Sequence, residues 1–299
     1  MTGHFLSIDD WTSEALLRTL ERAKDLKCGG DHGQPLAGKN VALIFHKRST
    51  RTRVSFEVGI RQLGGDSVFL YQETTHMGQG EDSRDTARVL GRYVDGIMVR
   101  TYAHDTALEL AELSGVPVVN GLTDHLHPCQ VMADVMTATE ALDQPADALR
   151  VAWVGDGNNM ANSWLNAAKR FGFSLTLACP EGYDPDADLV ANAVEHAAVR
   201  VVRDPREAVE GASVVTTDVW TSMGQEAERL ERLQAFRGFQ VDDALMGHAA
   251  PEGIFMHCMP AHRGEEVTAQ VLDGPRSYIF DEAENRLHVQ KSILVELFA

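Results

Sequence analysis

Residues 49–53, with the sequence Ser-Thr-Arg-Thr-Arg, give the first indication of chemistry in this chain. Their hydroxyl and guanidinium groups offer neutral and charged hydrogen-bond donors that suit the oxygens of a phosphate. An apolar run at 40–45 precedes them and a helical pattern follows, so they are predicted to lie in a strand-to-helix turn. Backbone N–H groups at a helix start also bind anions. We therefore predict an anion site; a serine N-cap with two solvated arginines is the simpler alternative.

Strand and helix patterns alternate through the first half of the chain, which predicts a parallel sheet with helices on both faces. Ligands of such sheets bind at the carboxyl ends of the strands. The predicted strands are 40–45, 67–71, 95–99 and 116–119, and the predicted helices are 52–64, 82–94, 104–114 and 128–142.

A polar joint at 143–147 interrupts this pattern, and a second series of the same kind follows. We therefore predict an α/β protein of two doubly wound parallel-sheet domains, residues 1–142 and 143–299, with a final helix at about 281–299 that can pack back on the first domain. The second series has predicted strands near 150–154, 174–178, 199–202, 213–217 and 253–257, and predicted helices near 159–171, 185–197 and 225–236.

Apolar spacing predicts which helix faces are buried. A capping-box pattern at 7–10 is expected to begin a first helix that ends near Lys27. That helix should bury Leu16, Leu17, Leu20 and Ala23, and the helix after residues 49–53 should bury Val54, Val58 and Leu63.

Composition restricts the class of protein. With 299 residues and 44% hydrophobic content, the chain can form two domains of ordinary size. Its formal net charge of -17 argues against nonspecific nucleic-acid binding, and any anionic ligand requires a local basic cluster. The sequence has neither an apolar run of 18 residues nor a signal-peptide pattern, so we expect a cytoplasmic protein. Cys28, Cys129, Cys179 and Cys258 lack metal-ligand spacing, so neither disulfides nor a metal site is expected.

In the first half of the chain, two further sets of polar side chains are predicted to lie at the carboxyl ends of strands, where parallel sheets bind ligands. Arg100 follows the apolar run 95–99 and so ends a predicted strand, although a lone arginine there is usually solvated or salt-bridged. In His127-Pro128-Cys129-Gln130, the proline fits the first position of a helix, and the imidazole and carboxamide can donate hydrogen bonds to a carbonyl or phosphoryl oxygen. From the residues alone, a structural histidine at a capped helix is an equally good interpretation.

Three segments of the second half carry comparable groups. Residues 155–159, Gly-Asp-Gly-Asn-Asn, are similar to a dinucleotide fingerprint, but Met160 occupies the third glycine position and makes a dehydrogenase a weak alternative. The loop 218–224 contains a carboxylate, a hydroxyl and a glycine, which could hold a zwitterionic group. Cys258 ends an apolar run and would by itself indicate inert packing.

These motifs resemble those of the aspartate and ornithine carbamoyltransferase family, over nearly the whole chain and in the family's order. The loop 218–224 is similar to that of the members that use ornithine, and Met259 replaces the usual leucine of its motif. The matching motifs are Ser-Thr-Arg-Thr-Arg at 49–53, His-Pro-Cys-Gln at 127–130, Gly-Asp-Gly-Asn-Asn at 155–159, Asp218 to Gly224, and His-Cys-Met-Pro at 257–260.

The resemblance implies transfer of the carbamoyl group of carbamoyl phosphate to the side-chain amine of L-ornithine, giving L-citrulline and phosphate, in arginine metabolism. It also implies an active site between the two domains, no cofactor, no metal, and a homotrimer or an assembly of trimers. The implied catalytic residues are Arg100, His127, Asp218 and Cys258. The implied carbamoyl-phosphate-binding residues are Ser49, Thr50, Arg51, Thr52, His76, Arg100, His127, Gln130, Cys258, Met259 and Arg286, and the ornithine-binding residues are Asn159, Asp218, Ser222 and Met223.

His76 departs from the family pattern, because many relatives have glutamine there. In the family this residue reaches the site of a neighbouring subunit. Since histidine titrates near neutrality, His76 could make phosphate affinity depend on pH.

Two alternatives remain open at this point. The acceptor could be another diamine or amino acid, such as putrescine. The chain could also be a ligand-binding or assembly paralogue without activity. The presence of Arg51, Arg100, His127, Asp218 and Cys258 argues against that second alternative.

Overall fold

The computed structural model describes residues 3–30, 33–72, 82–221, 224 and 226–298. The chain forms two compact units, one comprising Met1–Ala133 with Glu284–Ala299 and the other Asp134–Ala283. Both divisions between the units fall inside helices. The domain limits predicted from the sequence, 1–142 and 143–299, remain a prediction.

The first unit is built on a four-stranded parallel sheet in the order β2-β1-β3-β4, as the alternating pattern predicts. The central strand β1 is apolar from its second residue onwards and buried there, which is typical of a sheet covered on both faces. The strands are β1 (Asn40–Phe45), β2 (Asp66–Tyr71), β3 (Gly96–Arg100) and β4 (Val118–Leu122). The helices are α1 (Ser13–Lys27), α2 (Thr50–Gln62), α3 (Ser83–Leu90), α4 (His104–Ser114) and α5 (Pro128–Leu142), the last of which continues into the second unit.

The second unit contains a five-stranded parallel sheet in the order β7-β6-β5-β8-β9. The fold class predicted from the sequence, two parallel-sheet α/β domains, is therefore confirmed. Its strands are β5 (Arg150–Val154), β6 (Ser174–Ala178), β7 (Val199–Val202), β8 (Val214–Thr217) and β9 (Ile254–His257). Its helices are α6 (Asn159–Phe171), α7 (Ala187–Val194), α8 (Pro205–Val209), α9 (Arg229–Ala235), α10 (Asp243–Met246) and α11 (Ala269–Leu272).

The longest helix, α12 (Ile279–Phe298), begins in the second unit and continues into the first. The part of α12 that belongs to the first unit contacts α1 and α2 through polar groups: Ser292 Oγ donates to the Thr19 carbonyl at 2.8 Å, and Lys291 Nζ donates to Gln62 Oε1 at 3.0 Å. In the part of the chain that the structure describes, no helix combines the length and apolar character needed to cross a membrane.

The predicted start of the first helix is wrong, although the capping box is present. Ser7 caps a single 3-10 turn, Ile8–Asp10, whereas α1 begins at Ser13 with Thr12 as its N-cap. Between them Trp11 has an extended backbone and a buried indole whose Nε1 donates to the His4 carbonyl at 2.9 Å. Trp11 and Thr12 both have extended backbone, so two residues separate the 3-10 turn from α1.

Two predicted core positions are also wrong. Leu17 and Val54 are 45% and 50% exposed. In α2 the buried face instead contains Phe56 and Ile60, together with the polar Thr52. Apolar spacing could not assign this face correctly, because the hydroxyl of Thr52 faces inward to contact two buried arginine side chains.

Candidate active site

Residues 49–53 form the first turn of α2, directly after β1. Ser49 is the N-cap, and its Oγ accepts a hydrogen bond from the Thr52 N–H at 3.2 Å. Arg53 lies near Glu57 at 3.6 Å and over the Phe69 ring at 4.0 Å from the ring centre. The simpler interpretation therefore holds for Ser49 as the N-cap and agrees with the exposed side chain of Arg51, but Arg53 is half-buried against its neighbours and Thr52 is buried.

Thr52 orients two arginines. Its Oγ1 accepts hydrogen bonds from Arg100 Nη1 at 3.4 Å and from Arg286 Nη2 at 3.1 Å, and all three side chains are buried. Because a hydroxyl has two acceptor positions and one proton, Thr52 retains an O–H that can be donated to a ligand. Arg100 is the last residue of β3 and Arg286 lies on α12, so one hydroxyl fixes guanidinium groups from two elements.

His127 lies directly before α5, which begins at Pro128 as predicted. Burial lowers the pKa of the His127 imidazole well below its usual value, and the charges of Arg286, Arg100 and Arg51 lower it further. The ring is therefore neutral near pH 7 and can donate one N–H without carrying a charge. Gln130, in the first turn of α5, is also buried. Cys129 is packed in the core, where burial raises the pKa of its thiol to about 12.

Lys47 is a further cation of this unit that the sequence analysis did not select. Its side chain is buried in the loop between β1 and α2, forms an ion pair with Asp124, and lies 4.3 Å from the centre of the Tyr102 ring. The signal was present in the sequence, since the lysine stands two residues before Ser49. These contacts stabilise the loop that leads into the start of α2.

Asp218 and Cys258 meet in the second unit. They follow the neighbouring strands β8 and β9, whose register pairs Thr217 with His257. Asp218 Oδ1 accepts hydrogen bonds from the Val219 N–H at 2.8 Å and from the Cys258 thiol at 3.2 Å. Asp218 Oδ2 accepts one from Asn158 Nδ2 at 2.9 Å. A carboxylate offers about four acceptor positions, so one position on Oδ2 remains for a ligand.

Cys258 carries a protonated thiol. Burial raises its pKa well above the usual value, and the negative charges of Asp218, Glu282 and Asp134 raise it further. Glu282 also accepts the His257 N–H at 2.9 Å and so fixes the end of β9. The thiol therefore acts as a hydrogen-bond donor near neutral pH.

The turn 155–159 holds Asp218 through a residue that the sequence analysis did not select. Asn158, the N-cap of α6, accepts the N–H groups of Met160 and Ala161 through Oδ1 and donates to Asp218 through Nδ2. Asn159, which was selected, is the first residue of α6 and is half-buried. A preference for asparagine at helix N-caps is the signal that could have identified Asn158.

The glycines of this turn are required by the protein's own backbone. A Cβ atom at Gly157 would lie 2.1 Å from the Pro185 nitrogen and 2.2 Å from the Asp184 carbonyl carbon. Gly157 also donates its N–H to the Tyr183 carbonyl at 2.9 Å. The space that a dinucleotide fingerprint leaves for a pyrophosphate is thus filled by residues 183–185, which removes support for the dehydrogenase alternative.

A buried ion pair supports the beginning of loop 218–224 and was also missed. Arg232 Nη1 lies 2.8 Å from Asp156 Oδ2 and donates to the Trp220 carbonyl at 3.0 Å. Burial raises the pKa of Asp156 although the Arg232 charge acts to lower it. Three selected residues, His76, Ser222 and Met223, lie outside the described residues.

The structure thus presents a buried basic group with hydroxyl donors in one α/β unit and an acidic group with a protonated thiol in the other. That combination is chemically suited to an anion in the first unit and to an amino compound in the second. Two family models of the aspartate/ornithine carbamoyltransferases match the chain: the carbamoyl-P binding domain over residues 3–140 and the Asp/Orn binding domain over residues 147–297. The chain belongs to the aspartate/ornithine carbamoyltransferase family.

Similar proteins cover the whole chain. The ornithine carbamoyltransferase of Pelobacter propionicus is 57% identical, and the alignment covers 99% of both chains. The anabolic ornithine carbamoyltransferase of Pseudomonas aeruginosa is 51% identical, over 97% of this chain and 95% of its own. Among solved structures, ornithine carbamoyltransferase from Thermus thermophilus has a TM-score of 0.92 at 42% identity and covers all of both chains. The anabolic enzyme from Campylobacter jejuni has a TM-score of 0.94 at 38% identity, over 98% of each chain.

Proposed function

We propose that this chain transfers the carbamoyl group of carbamoyl phosphate to the side-chain amine of L-ornithine, giving L-citrulline and phosphate. The observation that carries the choice of ornithine is the acidic surrounding of Cys258. Asp218, Glu282 and Asp134 favour a basic amino acid there and disfavour aspartate, whose side chain is itself an anion. The ornithine activity is also the one named for the similar proteins described above.

In the first unit we propose that carbamoyl phosphate binds at the start of α2. The phosphate accepts hydrogen bonds from the first N–H groups of α2, from the hydroxyls of Ser49, Thr50 and Thr52, and from Arg51. Arg100 and Arg286, oriented by Thr52, neutralise its charge. The family resemblance adds three more proposed binding residues: His76, and Cys258 and Met259 of the second unit.

Stabilisation of developing charge is the proposed role of Arg100, His127 and Gln130. When the amine attacks the carbonyl carbon, the carbonyl oxygen becomes negative, and fixed donors at that oxygen lower the barrier. A neutral His127 can donate its N–H without carrying a buried positive charge, and its buried position means that little reorganisation is required.

In the second unit we propose that Asp218, Asn159, Ser222 and Met223 hold the amino and carboxyl groups of ornithine. Attack by its neutral side-chain amine forms the C–N bond, the C–O bond to phosphate breaks with its electron pair, and the amine proton passes to the departing phosphate or to solvent. Cys258, held by Asp218 at 3.2 Å, positions the attacking nitrogen. The proposed transfer requires both ligands to be in contact at that moment.

We further propose that the protein works as a cytoplasmic homotrimer in arginine biosynthesis. The biosynthetic direction is supported by the relatives from Pseudomonas aeruginosa and Campylobacter jejuni, which are named anabolic. The trimer rests on the family resemblance, in which a residue at the position of His76 reaches a neighbouring subunit.

Citrulline formation with four parallel acceptors tests the proposed reaction. We expect turnover of carbamoyl phosphate with L-ornithine and background rates with putrescine, L-aspartate and N-acetylornithine. Asp218→Asn should lose ornithine turnover and keep carbamoyl-phosphate binding, because Asp218 lies in the second unit. Faster turnover with putrescine than with ornithine would show that putrescine is the acceptor. No turnover with any of the four acceptors, while carbamoyl phosphate still binds, would support a binding paralogue without activity.

A further inference from the structure

A second group of chemically capable side chains lies in the turn between β9 and α11. Glu266 has a fully buried side chain, and its Oε1 accepts the His262 N–H at 2.5 Å. The same oxygen lies 3.3 Å from His257 Nε2. Because His257 Nδ1 accepts the Met259 N–H at 2.9 Å, the proton of a neutral His257 ring is on Nε2 and faces Glu266. Glu266 is thus anchored through one oxygen.

Three other atoms of this turn face one another. His262 Nδ1 lies 3.9 Å from Glu265 Oε2 and 3.9 Å from Glu266 Oε2, and one ligand atom from each residue falls within 4.8 Å of the others. All three atoms are buried, and none has a hydrogen-bond partner among the residues that the structure describes. The other oxygen of Glu265 is held by Arg229.

This arrangement is costly without a ligand. A buried polar atom that lacks a partner loses the free energy of its hydration, and two neighbouring carboxylates also repel each other. The 3.9 Å separations are too long for hydrogen bonds between the three groups. A cation at their centre would satisfy two oxygens and one nitrogen together.

The donor set identifies the kind of cation. Zinc binds imidazole nitrogen and carboxylate oxygen at about 2.0–2.2 Å, so each of the two 3.9 Å separations from His262 Nδ1 must shorten by about half an ångström. Magnesium and calcium prefer all-oxygen sites, whereas imidazole favours zinc and its first-row neighbours. Arg229 bonds the outer oxygen of Glu265, and His257 Nε2 lies 3.3 Å from the outer oxygen of Glu266, where groups that surround a metal site are usually found.

We propose that His262, Glu265 and Glu266 form a binding site for a divalent transition-metal ion, with zinc as the best chemical match. The site is separate from the residues to which the carbamoyl transfer is assigned. Its occupancy links residues 262–266 to His257, the residue before Cys258, and therefore stabilises this part of the second unit.

Cobalt and zinc titrations of the full chain test the site. Asp218, His257 and Cys258 also bring potential ligand atoms within 4.8 Å of one another, so the titration uses the Cys258→Ser background. In this variant we expect one equivalent of Co²⁺ to give visible absorption bands without a thiolate charge-transfer band. Added Zn²⁺ should displace the bound Co²⁺ and remove these bands. A Cys258→Ser protein that binds neither cobalt nor zinc overturns the proposal.

Two variants in the same background assign the ligands. Loss of a residue that only hydrogen-bonds to a metal ligand typically weakens metal affinity by roughly 10- to 100-fold. His262→Gln removes a ligand itself, so it should weaken cobalt affinity by more than that. His248→Gln is the matched control, because His248 is equally exposed and lies 3.3 Å from Glu210 elsewhere in this unit; its affinity should equal that of the background. Glu265→Gln provides a second ligand variant, and metal-free thermal unfolding checks each fold. Binding that survives both ligand variants overturns the assignment.

Discussion

Thr52 shows how one hydroxyl in segment 49–53 can organise a site beyond its own contact with a ligand. Thr52→Val keeps the shape of the side chain but leaves Arg100 and Arg286 without their shared acceptor. Hydrogen bonds to charged groups contribute about 1.5–3 kcal/mol, so kcat/KM for carbamoyl phosphate should fall roughly 10- to 100-fold. Steady-state kinetics at saturating ornithine measure this effect.

The control for Thr52→Val is Thr19→Val. Thr19 is equally buried in the same unit, but its hydroxyl donates only to the Ala15 carbonyl within α1. Thr19→Val should leave kcat/KM unchanged. Equal kinetics for the two variants would show that the Thr52 hydroxyl does not position the arginines.

His127 should remain neutral at pH values where an ordinary histidine is charged. Burial and the charges of three arginines lower the pKa of His127 in the folded protein, whereas a histidine in the unfolded chain has a pKa of about 6.5. The unfolded state therefore binds the proton first, and the contribution of His127 to stability falls as the pH drops below about 6.5. Ring ¹⁵N chemical shifts between pH 8 and 5 test this; a His127 that titrates at 6.5 or above would contradict it.

At the scale of elements, the sequence predicts the sheets well because most of their strands are short apolar runs; β1, β5 and β8 are almost fully buried, whereas the edge strands β2 and β7 are partly exposed. The predicted limits of β1, β5, β6 and β7 match the structure. Exposed helices are less well defined: the helix predicted at 185–197 forms only at Ala187–Val194. There Asp186 caps the start, and the polar residues after Val194 have no buried face to continue.

Contacts between distant elements explain the site residues that the sequence analysis missed. Asp156 pairs with Arg232 across 76 positions, and Lys47 pairs with Asp124 across 77. Neither residue periodicity nor local capping carries information at such separations. The residue types of loop 218–224 already indicated Asp218, whereas Cys258 was selected only because the family motif contains it. Asn158, the partner of Asp218, is one position from the residue that was selected.

The Arg232–Asp156 pair should be essential for the second unit. Arg232→Met leaves a buried carboxylate without its cation, which is expected to cost about 3–5 kcal/mol in free energy of unfolding. Urea unfolding followed by tryptophan fluorescence measures this, since Trp153, Trp164 and Trp220 all lie in the second unit.

Two further variants separate the ion pair from nonspecific effects. Arg200→Met removes an exposed pair with Glu207 in the same unit and should cost about 0–1 kcal/mol. Asp156→Asn combined with Arg232→Met should recover part of the lost stability, because no charge is then left buried. Equal losses for Arg200→Met and Arg232→Met would show that the buried pair has no special role.

For the whole molecule, the local charge around one part of the proposed site is opposite in sign to the net charge of the chain. The chain carries a net charge of -17, yet the start of α2 is surrounded by Arg51, Arg100 and Arg286, while Cys258 has acidic neighbours. Composition predicts only the global repulsion of anions. Local burial then decides the binding chemistry, because charges held in a low dielectric interact more strongly than solvated ones.

Subunit mixing tests whether the proposed trimer shares its active sites. A trimer should have a mass of about 98 kDa, three times the 32.8 kDa of the chain. Arg100→Ala should inactivate the active site of the subunit that carries the substitution. His76→Ala should weaken the active site of the neighbouring subunit. In trimers assembled at random from equal amounts of the two chains, about one quarter of the sites would combine an intact Arg100 with a neighbour's intact His76. Activity of the mixture should therefore exceed the mean of the two separate variants, whereas activity equal to that mean would place His76 in the site of its own subunit.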